Sequence, residues 1–235
     1  MNQVDYVELM FSLDWWLRVS LIALCIFFWI YALVLGKRAG AAGITAKKNY
    51  FISFSFFFLS FVFNFIQTEL RIAEVFTYPD VIPSGFHYFI GLPDEWMVFM
   101  FLFFFLGAIP MAFAIEKFLL MHKKVILTVL GIIALAFTTS LFFFSLAPNY
   151  NDLLIYIVVS VDYIAMIAIT LSILILYLRI AIIGSGNMRV VGILIFLGFI
   201  CEVAGLILSS DTKELGHGIM LAGFVLIFIG MARMK

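Results

Sequence analysis

The sequence predicts an all-α, polytopic membrane protein: a seven-transmembrane-helix bundle with its N-terminus outside and its C-terminus cytoplasmic. Three observations predict it: the composition, the number and length of the apolar runs, and the side on which basic residues collect. Of 235 residues, 66% are hydrophobic and 12% charged, with 29 phenylalanines and a mean hydropathy of +1.21. An ordinary soluble domain is roughly 45–50% apolar and about 25% charged, so water is a poor solvent for this chain and hydrocarbon a good one. The formal net charge is zero, which points to no nucleic acid and no strongly charged partner other than membrane lipids.

A spanning helix needs about 20 mostly apolar residues. Segments at 15–35, 50–71, 96–117, 125–147, 152–179, 190–210 and 215–233 meet that requirement, and together they make residues 1–235 a single transmembrane domain. Polar or turn-forming stretches separate several of them: GKRAGAAGITAKK at 36–48, APNY at 147–150, GSGN at 184–187 and SSDTKELGH at 209–217. The N-terminal MNQVDYVELMFSLD is acidic and lacks the basic start and small-residue cleavage site of a secretory signal. Segment 1 is therefore read as a retained membrane helix.

Orientation follows from the tendency of Lys and Arg to collect on cytoplasmic loops. With the N-terminus outside, Lys37, Arg38, Lys47, Lys48, Lys117, Lys123, Lys124, Arg179, Arg189, Arg233 and Lys235 fall inside, eleven of the fourteen basic residues. Arg18, Arg71 and Lys213 fall on the outer side, together with acidic residues from Asp5 to Glu214. This orientation implies a cell membrane, crossed several times.

Within the runs, polar groups are sparse and therefore informative, because an ionisable group at the bilayer centre costs about 2.5–3.5 kcal/mol on insertion scales. Segment 1 carries Arg18 near its outer end, one turn from Asp14, with which it would pair. Segment 2 is Phe-rich and carries Asn64, Gln67 and Arg71 at spacings of three and four, a single helical face. Pro110 interrupts segment 3 by removing a backbone hydrogen bond, and Glu116 and Lys117 close that segment as an interfacial anchor. Asp162, in VVSVDYIAM of segment 5, and Glu202, in GFICEVAG of segment 6, lie at depths that match to within about a turn. The GSGN turn makes these segments antiparallel neighbours, so the two acids would approach if their faces agree, and one would then hold a proton at neutral pH. The alternative is two separate protonated acids, each hydrogen-bonded across helices. Segment 7 carries Gly216, Gly223 and Gly230, and segment 6 carries Gly198 and Gly205; small residues of this kind let membrane helices pack closely.

The outer connection at 72–95, with Pro79, Pro83 and Pro93 among aromatics, reads as a binding element or as an aromatic segment resting on headgroups. Arg18, Asn64, Gln67, Arg71, Tyr163 and His217 are expected to wall an outward-facing pocket with Asp162 and Glu202 as its floor. Its occupant is expected to be a small-molecule ligand or protons. Cofactors and catalytic residues are not expected. Helix 7 has no lysine in its core for a retinal Schiff base, and His87, His122 and His217 fall at different membrane faces, which leaves no metal site. Cys25 and Cys201 lie inside apolar runs and read as small buried residues. The leading expectation is a sensor or receptor-like protein that signals through a separate cytoplasmic or membrane partner. A small transporter or proton-coupled channel using the two carboxylates is the alternative, and a lipid-processing enzyme the third.

Overall fold

The computed structural model describes residues 12–77, 95–119, 125–145, 152–209 and 212–234, with side chains described over 12–67, 100–117, 125–140, 157–209 and 212–234. Every regular element among them is helical: α1 (Leu13–Ala41), α2 (Thr45–Thr77), α3 (Glu95–Ala114), a π-helical turn (Ile115–Leu119), α4 (Ile126–Ser145), α5 (Asp152–Ile183), α6 (Gly186–Leu208) and α7 (Lys213–Ala232). Six of these helices are long and apolar enough to cross a bilayer; the apolar stretch described in α4, Ile126–Ser140, is shorter. Helix is the outcome that hydrocarbon imposes on such runs, because each backbone N–H and C=O must find its partner within the segment.

Two connections differ from the sequence expectation. The polar stretch at 36–48 is mostly helical: α1 runs on to Ala41, and the link to α2 is three residues long. Gly43 supplies the break at φ 74°, with Ile44 N–H donating to Ala39 O at 2.9 Å and Gly43 N–H to Gly40 O at 3.0 Å, a Schellman ending. Gly, Lys and Arg marked the limit of the hydrocarbon, and a helix does not stop there unless a residue adopts a non-helical conformation. At the other end of α2, residues 72–77 are helical rather than part of an irregular loop. α2 is described as far as Thr77. The remainder of the proline-rich connection, 78–94, and the APNY stretch lie outside the described residues.

The chain divides into two compact units, Trp29–Ile169 and a second made of Asn2–Phe28 with Thr170–Lys235. In the first, Phe54, Phe58, Phe101 and Phe105 are fully buried, and Phe63 stacks on Phe103 with ring centroids 5.1 Å apart. Gly107 of α3 sits against α2 so closely that a Cβ there would lie 2.2 Å from Ser60 Oγ. Pro110 lies inside α3, one turn ahead of the π-helical turn. An apolar cleft of about 350 Å³ opens between α2, α3 and α4, lined by Phe56, Ser60, Leu106, Pro110 and Ile132 among others.

The second unit is built on the α6–α7 seam. Cβ atoms added at Gly198 and Gly223 would each lie 2.8 Å from the other glycine's carbonyl oxygen, and one at Gly216 would lie 2.7 Å from Gly205 O. Gly198 and Gly205 thus face Gly223 and Gly216, as small residues at a membrane-helix interface do, while Gly230 makes room for Ile195. Phe228 of α7 stacks on Phe28 of α1 at 4.2 Å, nearly parallel at 8°. At the far end of the seam the Asn187 amide donates to Arg233 O at 2.7 Å, capping the last turn of α7.

Candidate functional site

In Trp29–Ile169, Asp162 of α5 is fully buried. Its Oδ2 lies 2.8 Å from Thr138 Oγ1 of α4, and its Oδ1 has no hydrogen-bond partner among the described residues. Thr138 Oγ1 is also 3.0 Å from Ala134 O, so one hydroxyl proton has two acceptors in reach. A protonated Asp162 resolves the shortage by donating to Thr138, which then donates to Ala134. Tyr163, the next residue, turns the other way and meets the edge of Phe101 at 5.0 Å. Asn64 and Gln67 are half-buried on α2, and the Arg71 side chain lies outside the described residues.

In the second unit two features stand out. The first is at the start of α1 and of α7. Asp14 accepts from Arg18 Nη1 at 2.9 Å through Oδ2 and from His217 Nδ1 at 2.6 Å through Oδ1. The pairing of Arg18 with Asp14 one turn earlier is thus present, and His217 joins it across helices. With side-chain exposures of 5%, 9% and 13% for Arg18, Asp14 and His217, this is an enclosed cluster, where charge-assisted hydrogen bonds are least weakened by solvent. Because the carboxylate only accepts, Nδ1 carries the proton in this bond.

The second feature is Glu202 of α6. It is buried, and neither carboxyl oxygen has a hydrogen-bond partner among the described residues. Its Oε1 lies 2.8 Å from where a Cβ on Gly223 would stand, so the glycine leaves the slot that the carboxyl fills. The Phe224 backbone faces the carboxyl without meeting hydrogen-bond geometry, and the fully buried Cys25 of α1 faces it electrostatically.

Sequence reasoning singled out Asp162, Glu202, Arg18 and His217 but gave no site role to Asp14, Thr138 or Cys25. Asp14 was visible as a helical neighbour of Arg18; its bond to His217, 203 positions away, has no local signal. Glu116 also has another role than an interfacial anchor. It is buried, and its carboxylate accepts from Leu127 N–H at 2.6 Å, Thr128 N–H at 3.0 Å and the Thr128 hydroxyl at 2.7 Å. The residue preceding α4 is Val125, which has no acceptor, so Glu116 caps that helix from the end of its predecessor.

Among the described residues no group of three or more His, Cys, Asp or Glu is placed to hold a metal ion. Fold and buried polar groups define the class: an all-helical, multi-pass membrane protein with carboxyls held inside its apolar helices. Comparison with known proteins adds nothing narrower, since no family model, curated protein or solved structure matches this chain.

Proposed function

We propose that this chain is a seven-helix sensor of a cell membrane, with its N-terminus outside and its C-terminus in the cytoplasm. It responds to a small ligand or to protons on the outer side and acts through a separate partner. The observation that carries the reading is the Asp14, Arg18 and His217 cluster. One carboxylate ties the start of α1 to the start of α7, and those helix ends lie on the outer side in the orientation that the basic residues favour. A ligand anion competing for Arg18 changes the charge balance of that cluster directly, and so changes how firmly the two helices are held. A tie of this kind is a place where binding energy becomes helix movement.

The test is thermal unfolding of the full chain in lipid nanodiscs against a panel of carboxylates, phosphates, amines and lipids. A ligand at 100 times its Kd adds about 2.7 kcal/mol of stability, which is read as a rise in Tm. Arg18→Gln and His217→Gln should abolish the rise, and Lys213→Gln should keep it. A panel in which no compound shifts Tm, or a shift that survives both cluster variants, refutes the reading.

A further inference from the structure

The Glu202 slot is independent of the outer cluster. Three observations meet there. Both carboxyl oxygens are buried without a hydrogen-bond partner among the described residues. The α6 and α7 backbones are pressed together at Gly198 and Gly223, with Oε1 filling the space that a side chain at 223 would need. The titratable group facing the carboxyl from α1 is the Cys25 thiol, a weak donor. The other charged or titratable residues of the surrounding elements stand elsewhere along them. Lys213, Glu214, His217 and Arg233 of α7 are at least six residues from Gly223, and Asp14, Arg18, Tyr31, Lys37 and Arg38 of α1 are at least six from Cys25. Cys201 adjoins Glu202 in α6, where Arg189 is near the opposite end, and Tyr177 of α5 stacks on Phe199, three residues from Glu202.

We infer that Glu202 is a reversible proton-binding site whose occupancy keeps the α6–α7 seam closed. The neutral acid fits the slot as it stands, presenting no net charge to hydrocarbon. The carboxylate needs strong donors or a counter-charge, and among the described residues the closed seam offers only the Phe224 backbone, outside hydrogen-bond geometry, and the weakly donating Cys25 thiol; water reaches the group only if the helices part. Proton release and seam opening are therefore one event. The glycines bring backbone against backbone at Gly198 and Gly223, with Ile227 and Met220 packed into the same seam, so that parting the helices breaks a continuous close contact. The ligand class is the proton, with a small monovalent cation as the competing occupant.

The experiment uses the full chain in lipid nanodiscs and dicyclohexylcarbodiimide, an apolar reagent that partitions into the bilayer. The acid O–H adds across one C=N bond: the proton goes to nitrogen and the carboxyl oxygen to the central carbon. The O-acylisourea so formed rearranges to a stable N-acylurea, with no atom lost. Peptide mass spectrometry should find the adduct on Glu202 at pH 6, at least tenfold less of it at pH 9.5, and none in Glu202→Gln, which imitates the neutral acid and keeps the fold. Glu202→Asp should retain labelling. In parallel, the alkylation rate of Cys25 in the wild type, divided by that in Glu202→Gln, should rise at least tenfold between pH 6 and pH 9.5, against the charge of the carboxylate, which by itself disfavours the thiolate and would lower the ratio. An unlabelled Glu202, or labelling that does not change with pH, overturns reversible protonation. Protection by 50 mM sodium at constant pH overturns the proton in favour of a metal cation, and a flat Cys25 ratio overturns the coupling to the seam.

Discussion

Glu116→Ala removes a carboxylate whose two oxygens are both bonded to a helix later in the chain. The carboxyl accepts three hydrogen bonds, at 2.6, 3.0 and 2.7 Å, from the first turn of α4. Hydrogen bonds to a charged group contribute about 1.5–3 kcal/mol each, and the N-terminal dipole of α4 adds about 0.3–1 kcal/mol. Simple addition overstates the loss, because helix-terminal amides freed near a membrane face are partly rehydrated; loss of an ordinary N-cap costs about 0.5–2 kcal/mol. Between these bounds we expect about 3 kcal/mol. At roughly 2–4 °C per kcal/mol for a chain of this size, Tm falls by about 6–12 °C. Thr128→Val removes the hydroxyl bond alone and should cost about 1–2 kcal/mol. Glu116→Gln keeps one accepting oxygen but turns an N–H₂ towards an N–H donor, so it should fall nearer to the alanine variant than to the wild type. The assay is fluorescence-monitored thermal unfolding in nanodiscs. A Glu116→Ala protein within 1 °C of wild type, or a Thr128→Val loss as large as that of Glu116→Ala, refutes the capping argument.

Gly107→Ala places a methyl 2.2 Å from Ser60 Oγ and 3.2 Å from Phe56 O; the overpacking should cost about 2 kcal/mol, and Ser60→Gly in the same chain should restore part of it. A double variant no more stable than the single would show that the strain lies elsewhere. Asp162→Asn retains a donor for Thr138 and should stay within about 1 kcal/mol of wild type, whereas Asp162→Ala leaves a cavity and should lose about 2–4 kcal/mol; equal losses would remove the neutral-acid reading of that pair. For topology, cysteine tags near Lys47 and Ser185, in a chain freed of Cys25 and Cys201, should label only from the cytoplasm. Tags near Ser84 and Asp211 should label only from outside, and N- and C-termini found on one side would end the seven-span reading.

The helices were legible from the residues alone because hydrocarbon simplifies the problem. A run such as 152–179, with Asp152 at its start and Asp162 among apolar side chains, has a single way to satisfy its backbone, and that way is a helix. Helix ends were less legible, because composition reports where water begins and not where the backbone leaves helical geometry. Lys37 and Arg38 looked like loop and are helix, while Gly43 sets the break through its positive φ.

The buried acids were legible as anomalies, since a carboxylate in VVSVDYIAM or GFICEVAG stands out by its cost. Their partners were not. Whether Asp162 meets a hydroxyl, whether Glu202 faces a glycine and a thiol, and whether His217 reaches Asp14 depend on the rotation of each helix about its axis and on which helix lies beside it. Those rotations are weakly encoded in a chain that is apolar all round, because no polar face betrays which side turns inward. The sequence by itself therefore determined the solvent, the helical state of the runs and the identity of the costly residues, all consequences of local composition against hydrocarbon. The tertiary structure alone decided the carboxyl-to-hydroxyl bond, the carboxylate cap on α4, the glycine seam and the tie between α1 and α7. Contacts between residues far apart in the chain arise only when close packing chooses among helix faces that look alike in sequence.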